Sequence, residues 1–321
     1  MFSFSKKDII KYAKEYKVNK GTLERVLRLV DILKFINEYE EIKGKLALKG
    51  GTSINLAYYN YLRLSVDIDL DYIGSLDKDI MLKDRTIIEK SILTYVESNN
   101  MQYRPDKSRK THALDSFVFN YNNYFNSSDM LKIEINYMNR VHLFECEYKQ
   151  ITLPMASDVN ILSLNKFDLF ASKMNALIYR TTIRDIYDIY NMINLKTIKP
   201  EEMEFFKKSL IFYLLLSTED KLDIKLLFDE CIKRMNAFCN KRLPQYLTAT
   251  LTENDSFEIN KAVSLISEFL NELKARITND EFLFINEFPY NQNSLFNDKC
   301  IDGKIANHPM IKWKQFNLNN N

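Results

Sequence analysis

The residues best equipped for chemistry lie in one stretch, LALKGGTSINLAYYNYLRLSVDIDLDYIG, residues 46–74. The chain has only six glycines, yet Gly50 and Gly51 stand side by side, followed by Thr52 and Ser53. Asp67, Asp69 and Asp71 then alternate with aliphatic residues. Alternate side chains of a strand share a face. Val66, Ile68 and Leu70 are therefore expected to face a core and the three aspartates to face away from it, with successive same-face Cα atoms about 6.5–7 Å apart. A solvated polar face accounts for this pattern without any function.

Three features point further. GGTS falls between a predicted strand and a predicted helix, where glycines let a phosphate approach the backbone and the helix N-terminus favours an anion. The Thr52 and Ser53 hydroxyls would add donors. A later alternating segment, KIEINY, carries a lone acid, Glu134, which is either a site residue or the ion-pair partner of a nearby Lys or Arg. A magnesium-bound nucleotide needs both parts together, hard oxygen ligands for the cation and N–H donors for the phosphates.

Rival chemistries lack their residues. No G-x-x-x-x-G-K-[ST] loop, dinucleotide fingerprint or EF-hand spacing occurs, and His112, His142 and His308 are isolated. Cys146, Cys231, Cys239 and Cys300 have no metal-ligand or redox spacing, which points to free thiols in a reducing compartment. A net charge of +2 provides no strong field for nucleic acid. The N-terminus has no signal-peptide core, and the longest apolar run, LIFYLLL at 210–216, is too short for a bilayer. A soluble cytoplasmic protein without membrane partners is expected.

The elements that must position these residues follow from periodicity. Residues 6–40 and 77–99 read as helices, and KLALKGG, SVDIDLDYI, DSFVFNYNNY, LKIEINY and HLFECEY as strands, with a helix over TSINLAYYNYL. After Pro154 the period turns helical, first in LNKFDLFASKMNALIYR and RDIYDIYNMI. The expected fold class is α+β, with a mixed β-sheet core and N-terminal helices over residues 1–155 and a mostly α-helical domain over 156–321.

A glycine pair followed by a D-x-D strand resembles the polymerase-β-like nucleotidyltransferase superfamily. LERVLRLVDILKFI, LALKGGTSINLAY, RLSVDIDLDYIG, KIEINY, KMNALIYRTTIRDIYDIYNM and the terminal NHPMIKWK occur in the order typical of a narrower group. In this the chain is similar to the AbiEii/AbiGii toxins, nucleotidyltransferases of bacterial abortive-infection toxin–antitoxin systems. The resemblance covers most of residues 1–195 and the C-terminus, but not 200–290, where only helices are legible.

It implies a nucleotidyltransferase-fold core that uses Mg²⁺ or Mn²⁺ and an NTP. Asp67 and Asp69 would bind the metal with Glu134 as third carboxylate, and Asp71 would stand behind them. Gly50, Gly51, Thr52 and Ser53 would hold the phosphates, joined by Lys173, which matches the family's essential lysine, and by Arg184 beside the late acid Asp185.

From spacing alone, Lys173 and Arg180 share a helix face, Arg180 with Arg184 and Arg184 with Asp188 are i,i+4 neighbours, and Phe167, Phe170, Ala171, Met174 and Ile178 form the opposite stripe. That pattern equally describes a solvated face with ordinary ion pairs, and Asp185 three residues after Thr182 equally describes a helix cap.

The reaction implied is attack of an acceptor hydroxyl on the α-phosphate with loss of pyrophosphate, and either Asp185 or Glu134 as base. The acceptor best known for the family is the tRNA 3′ end, whose modification blocks aminoacylation and so translation. A cognate antitoxin encoded nearby and a phage-defence role belong to the same expectation. KSRK at 107–110 and Lys207, Lys208, Lys221, Lys225, Lys233, Arg234, Lys241 and Arg242 are either phosphate-contacting faces or balanced helix surfaces. Two other readings stay open: a transferase of the same fold acting on a protein or a small molecule such as an antibiotic, and a non-catalytic NTP-binding module.

Overall fold

The structure is a computed structural model that describes residues 3–59, 63–156, 158–219, 222–251, 255, 257–288 and 301–319. Contacts divide the chain into two units, Met1–Leu164 with Gln245–Asp255, and Asn165–Pro244 with Ser256–Asn321.

The first unit opens with α1 (Lys6–Glu15) and α2 (Lys20–Glu38). The Asn19 side chain caps α2 by accepting from the Gly21 and Thr22 amides at 2.9 and 3.1 Å. Strand β1 (Leu46–Lys49) runs directly into α3 (Gly50–Ala57), and then come β2 (Asp67–Tyr72) and α4 (Lys78–Ser98). The remaining strands are β3 (Gln102–Tyr103), β4 (Arg109–Lys110), β5 (Leu114–Asn122), β6 (Ser128–Asn136), β7 (Glu147–Gln150) and β8 (Asn160–Ser163). They form one mixed sheet in the order β3-β5-β6-β2-β1-β8-β7, with β4 on β5. The pairs β2/β6 and β1/β8 are parallel, and β1/β2, β5/β6 and β7/β8 antiparallel.

One sheet face is apolar throughout. Leu48, Ile68, Leu70, Phe117, Phe119, Ile133 and Ile135 are fully buried and join Val26, Val30 and Leu33 of α2 and Ile88, Ile92 and Val96 of α4 in one core. Each such side chain contributes about 1.5–3 kcal/mol of burial, enough to fix strand register and hence the opposite, polar face. A one-residue slip would put the aspartates into this core.

Two expectations change. HLFECEY is strand only from Glu147 onward. Residues 137–146 instead cross from β6 to β7, and His142 lies against β2, 3.4 Å from the Asp71 carboxylate. The first unit also extends past Pro154 to Leu164, because β8 pairs with β1 and β7 before the helices begin.

The second unit is helical among its described residues: α5 (Lys166–Arg180), α6 (Ile183–Asn194), α7 (Met203–Ser217) and α8 (Ile224–Asn236). The intervening α9 (Gln245–Thr248) belongs to the first unit. The chain then forms α10 (Ile259–Arg276), α11 (Asn279–Glu287), α12 (Ile301–Asn307) and α13 (Pro309–Asn319). Helix α5 packs on α6, α7 and α8, and α10 on α6 and α8. No described helix is long and apolar enough to cross a membrane.

Candidate active site

The register places the predicted carboxylates together. Lys49 pairs with Asp69, Asp69 with Glu134, and Asp67 with Lys132, so β1, β2 and β6 present one row, Lys49–Asp69–Glu134, with Asp67 and Lys132 beside it. Directly paired residues share a face, about 4.5–5.5 Å apart at Cβ. Asp67, Asp69 and Glu134 are half-buried.

Asp71, expected to face away from the core and, by the resemblance, to stand behind the other acids, is only 1% exposed. Lys49 Nζ lies 2.5 Å from its Oδ1, and His142 Nε2 3.4 Å from its Oδ2. The crossing segment and the lysine enclose it, so it is part of the support beneath Asp69.

Gly50 has a local role beside the one its sequence suggests. Gly50 starts α3 with φ +69°, and a Cβ there would sit 2.9 Å from Asp69 Oδ2. The missing side chain therefore makes room for the Asp69 carboxylate as well as for a backbone conformation that L-residues avoid. No side chain caps α3, which leaves its first amides to the helix dipole and an incoming anion. The Thr52 and Ser53 hydroxyls are already engaged. Thr52 bonds Ser65 Oγ at 2.8 Å and the Asp67 carbonyl, and Ser53 Oγ lies 2.6 Å from Ser163 Oγ in the interior. Thr52 keeps its backbone N–H in the uncapped first turn, whereas the Ser53 N–H, one residue further, belongs to the helix ladder.

Charge on this face is unbalanced. Burial pushes the Asp69 carboxyl up from its ordinary value; Lys49 pulls it back, and Glu134 and Asp67 push it up again. Burial also raises Asp71 against the pull of Lys49. Lys132 Nζ donates to Glu134 Oε1 at 2.8 Å. Burial would lower the Lys132 ammonium, but Glu134, Asp67 and Asp69 together hold it above its usual range.

Among the described residues, no three His, Cys, Asp or Glu side chains stand arranged as a metal cage. The donor set nevertheless fits a hard divalent cation in its chemistry: three carboxylates on adjacent strands, one of them raised by burial and further by its like-charged neighbours. A cation would relieve that repulsion.

Lys173, Arg180, Arg184 and Asp185 lie in the second unit. Phe170, Ala171, Met174, Leu177 and Ile178 bury the opposite side of α5. Lys173 Nζ lies 2.9 Å from Asp185 Oδ1 and 2.7 Å from Asp188 Oδ2, and both acids are fully buried. Arg180 donates to Asp185 through Nε at 2.7 Å and Nη2 at 2.8 Å, and Thr182 Oγ1 donates at 2.6 Å. Thr182 also caps α6 by accepting from the Asp185 amide. The capping reading and the charge-cluster reading are therefore both true of Asp185. Burial would raise its carboxyl, but the Arg180 hydrogen bonds, the Lys173 charge and the Thr182 hydroxyl outweigh it and hold it well below the carboxylate range. Arg184 is exposed on α6.

Sequence reasoning did not name Lys49, Lys132 or His142 as partners, and it named Asp188 beside Arg184 without its ion pair to Lys173. Lys132 and Asp188 were within reach of it: Lys132 precedes Glu134 by two in a strand, and Asp188 follows Asp185 by three in a helix. Two of the basic residues read as phosphate contacts are interior instead. Lys207 and Lys208 lie 3.0 and 2.9 Å from the buried carboxylate of Glu281, where they hold α11 to α7. Lys221 and Cys300 lie outside the described residues.

The geometry is thus a mixed sheet carrying paired acids beside a Gly-initiated helix. The chain superposes on MenT4, a nucleotidyltransferase toxin from Mycobacterium tuberculosis H37Rv, with a TM-score of 0.65 and 11% identity over 95% of this chain and 99% of that one. It also superposes on JHP933 from Helicobacter pylori, with a TM-score of 0.52 and 14% identity over 83% and 97% of the two chains. No protein of curated function matches the sequence significantly. The model of the nucleotidyl transferase AbiEii toxin family, of Type IV toxin–antitoxin systems, matches residues 36–254, and the chain belongs to that family. It is thus a nucleotidyltransferase of the toxin type.

Proposed function

We propose that the protein transfers a nucleoside monophosphate from an NTP to the 3′ end of tRNA, in a Mg²⁺- or Mn²⁺-dependent reaction that blocks translation in the cytoplasm. The observation that carries this reading is the Asp69 carboxylate seated against Gly50 at the start of α3, with Asp67 and Glu134 on the same sheet face. Asp67, Asp69 and Glu134 hold the cation, which when bound polarises the triphosphate and stabilises charge in the transition state. The amides of Gly50, Gly51 and Thr52 take phosphate oxygens, with Ser53 closing the same turn behind them. Asp185 or Glu134 takes the acceptor proton; the Arg180 hydrogen bonds and the Lys173 charge that hold Asp185 low count against it.

Family membership supports an NTP substrate and an antitoxin partner, and a phage-defence role follows the same line. A tRNA acceptor gains support from exposed basic side chains at Lys107, Arg109 and Lys110 in the first unit and at Lys225, Lys233, Lys241 and Arg242 in the second.

The test incubates the protein with Mg²⁺, total tRNA and each α-³²P-labelled NTP in turn, beside an Asp67→Ala/Asp69→Ala double variant. Label on tRNA with wild type alone is the expected result. NTP binding without labelled tRNA would overturn the acceptor and move the search to protein or small-molecule hydroxyls. Absence of NTP binding would overturn the site.

A further inference from the structure

The polar sheet face carries two lysines, and they are held differently. Lys49 lies 2.5 Å from Asp71, whose side chain is 2% exposed. Lys132 lies 2.8 Å from Glu134, and these two side chains are 43% and 30% exposed. Lys132 is also in register with Asp67, one position along from the Asp69–Glu134 pair. Its ammonium is thus bonded to one of the candidate cation ligands and next to the others.

The Lys49–Asp71 pair, with side chains 26% and 2% exposed, cannot open without leaving the Asp71 charge uncompensated in the interior. A half-exposed pair can open, because the lysine head is a strongly hydrated point charge on a flexible stem that reaches water. We propose that Lys132 is a built-in counter-cation of the active site, competing with the divalent cation for Glu134 and its neighbours and thereby setting how much of that cation the enzyme needs. This rests on the assignment of Asp67, Asp69 and Glu134 as cation ligands. Without cation, Lys132 balances part of the charge that the acids concentrate on one face. With cation, that task passes to the metal and the lysine head turns to solvent.

Two consequences follow. Removing the Lys132 charge strengthens cation binding, because the cation no longer displaces a competitor and meets one fewer repelling charge. It also lowers stability in chelator, and added cation restores it. A lysine serving only as a surface ion pair or a packing stem produces neither.

The experiment measures Mn²⁺ binding to the full chain by calorimetry or by electron paramagnetic resonance of free Mn²⁺, with no nucleotide present. Wild type is compared with Lys132→Met, Lys132→Gln, Lys132→Arg and Asp67→Ala/Asp69→Ala, and thermal melts of each are recorded in EDTA and in Mn²⁺. The Met and Gln variants are expected to bind Mn²⁺ about three- to tenfold more tightly, the size of one nearby charge at partial exposure. Lys132→Arg is expected to stay near wild type and the double variant to lose the site. Two neutral variants are used so that misfolding of either does not decide the result. Unchanged or weaker Mn²⁺ binding by the neutral variants, with wild-type binding still dependent on Asp67 and Asp69, overturns the role of Lys132 and leaves the ligand assignment standing. Wild-type binding that is absent, or indifferent to the double substitution, overturns the ligand assignment and this inference with it.

Discussion

In the first unit Asp67, Asp69, Asp71 and Glu134 share a sheet face with Lys49 and Lys132, and with Arg109 two strands beyond Glu134, whereas in the second Lys173 and Arg180 meet Asp185 and Asp188 one for one. The pKa directions follow the balance. Asp69 is pushed up by burial and like charge, while Asp185 ends well below its ordinary value despite burial. The second cluster satisfies itself and holds α5 to α6. The first is held in place by the sheet against its own repulsion, and that excess negative charge is what a cation site requires. Strain of this kind belongs where function is, and a self-neutralised cluster also belongs to architecture.

The sharpest way to break the comparison is Asp69→Asn. Nucleotide transfer is expected to fall by about a thousandfold or more, since a cation ligand is lost. Stability is expected to hold or rise. The folded-state pKa of Asp69 lies above the unfolded one, so the ionised carboxylate weighs against folding at neutral pH and its neutral isostere removes that cost. A melting temperature several degrees lower would mean that Asp69 is structural like Asp185.

Asp185→Ala tests the other side. It strips a fully buried acid from Lys173 and Arg180 and is expected to cost about 3–5 kcal/mol in a denaturant melt of the chain. Here the folded pKa is depressed, so the stabilisation is complete above the unfolded value of about 4 and is lost as pH falls through and below it. Wild-type stability is therefore expected to drop in that acid range by more than the variant's does. Equal acid dependence of the two would remove Asp185 from the balance.

How much of this was legible in the sequence depended on distance along the chain. The period-2 run at 67–71, Glu134 and the Thr182 cap are local patterns, and each lies on the element that periodicity predicted, whereas the glycine pair, read as the end of a strand, opens α3. The burial of Asp71 was not legible, because it depends on a lysine one strand away and on a crossing segment that alternation alone made a strand. Ser53 looked like a free hydroxyl because its partner, Ser163, lies 110 residues later. Lys207 and Lys208 looked like surface because their acid, Glu281, belongs to another helix. Composition named the charged residues, and only tertiary pairing decided which of them are spent.

The smallest expected stability effect separates backbone from site at Gly50. Gly44 and Gly50 both have left-handed φ, +73° and +69°, so an alanine at either is expected to cost about 1–2 kcal/mol. They differ in what a methyl meets: nothing within 4 Å at Gly44, and Asp69 Oδ2 at 2.9 Å at Gly50. Gly44→Ala is therefore expected to lower the melting temperature and leave transfer intact. Gly50→Ala is expected to lower it by a similar amount and to lose most of its transfer, because the Asp69 carboxylate must move off the methyl. If the two variants keep equal activity, Gly50 serves the turn alone and the Asp69 seat is not needed for the reaction. If only Gly50→Ala fails, the glycine pair is as much a part of the carboxylate site as the strand that carries the acids.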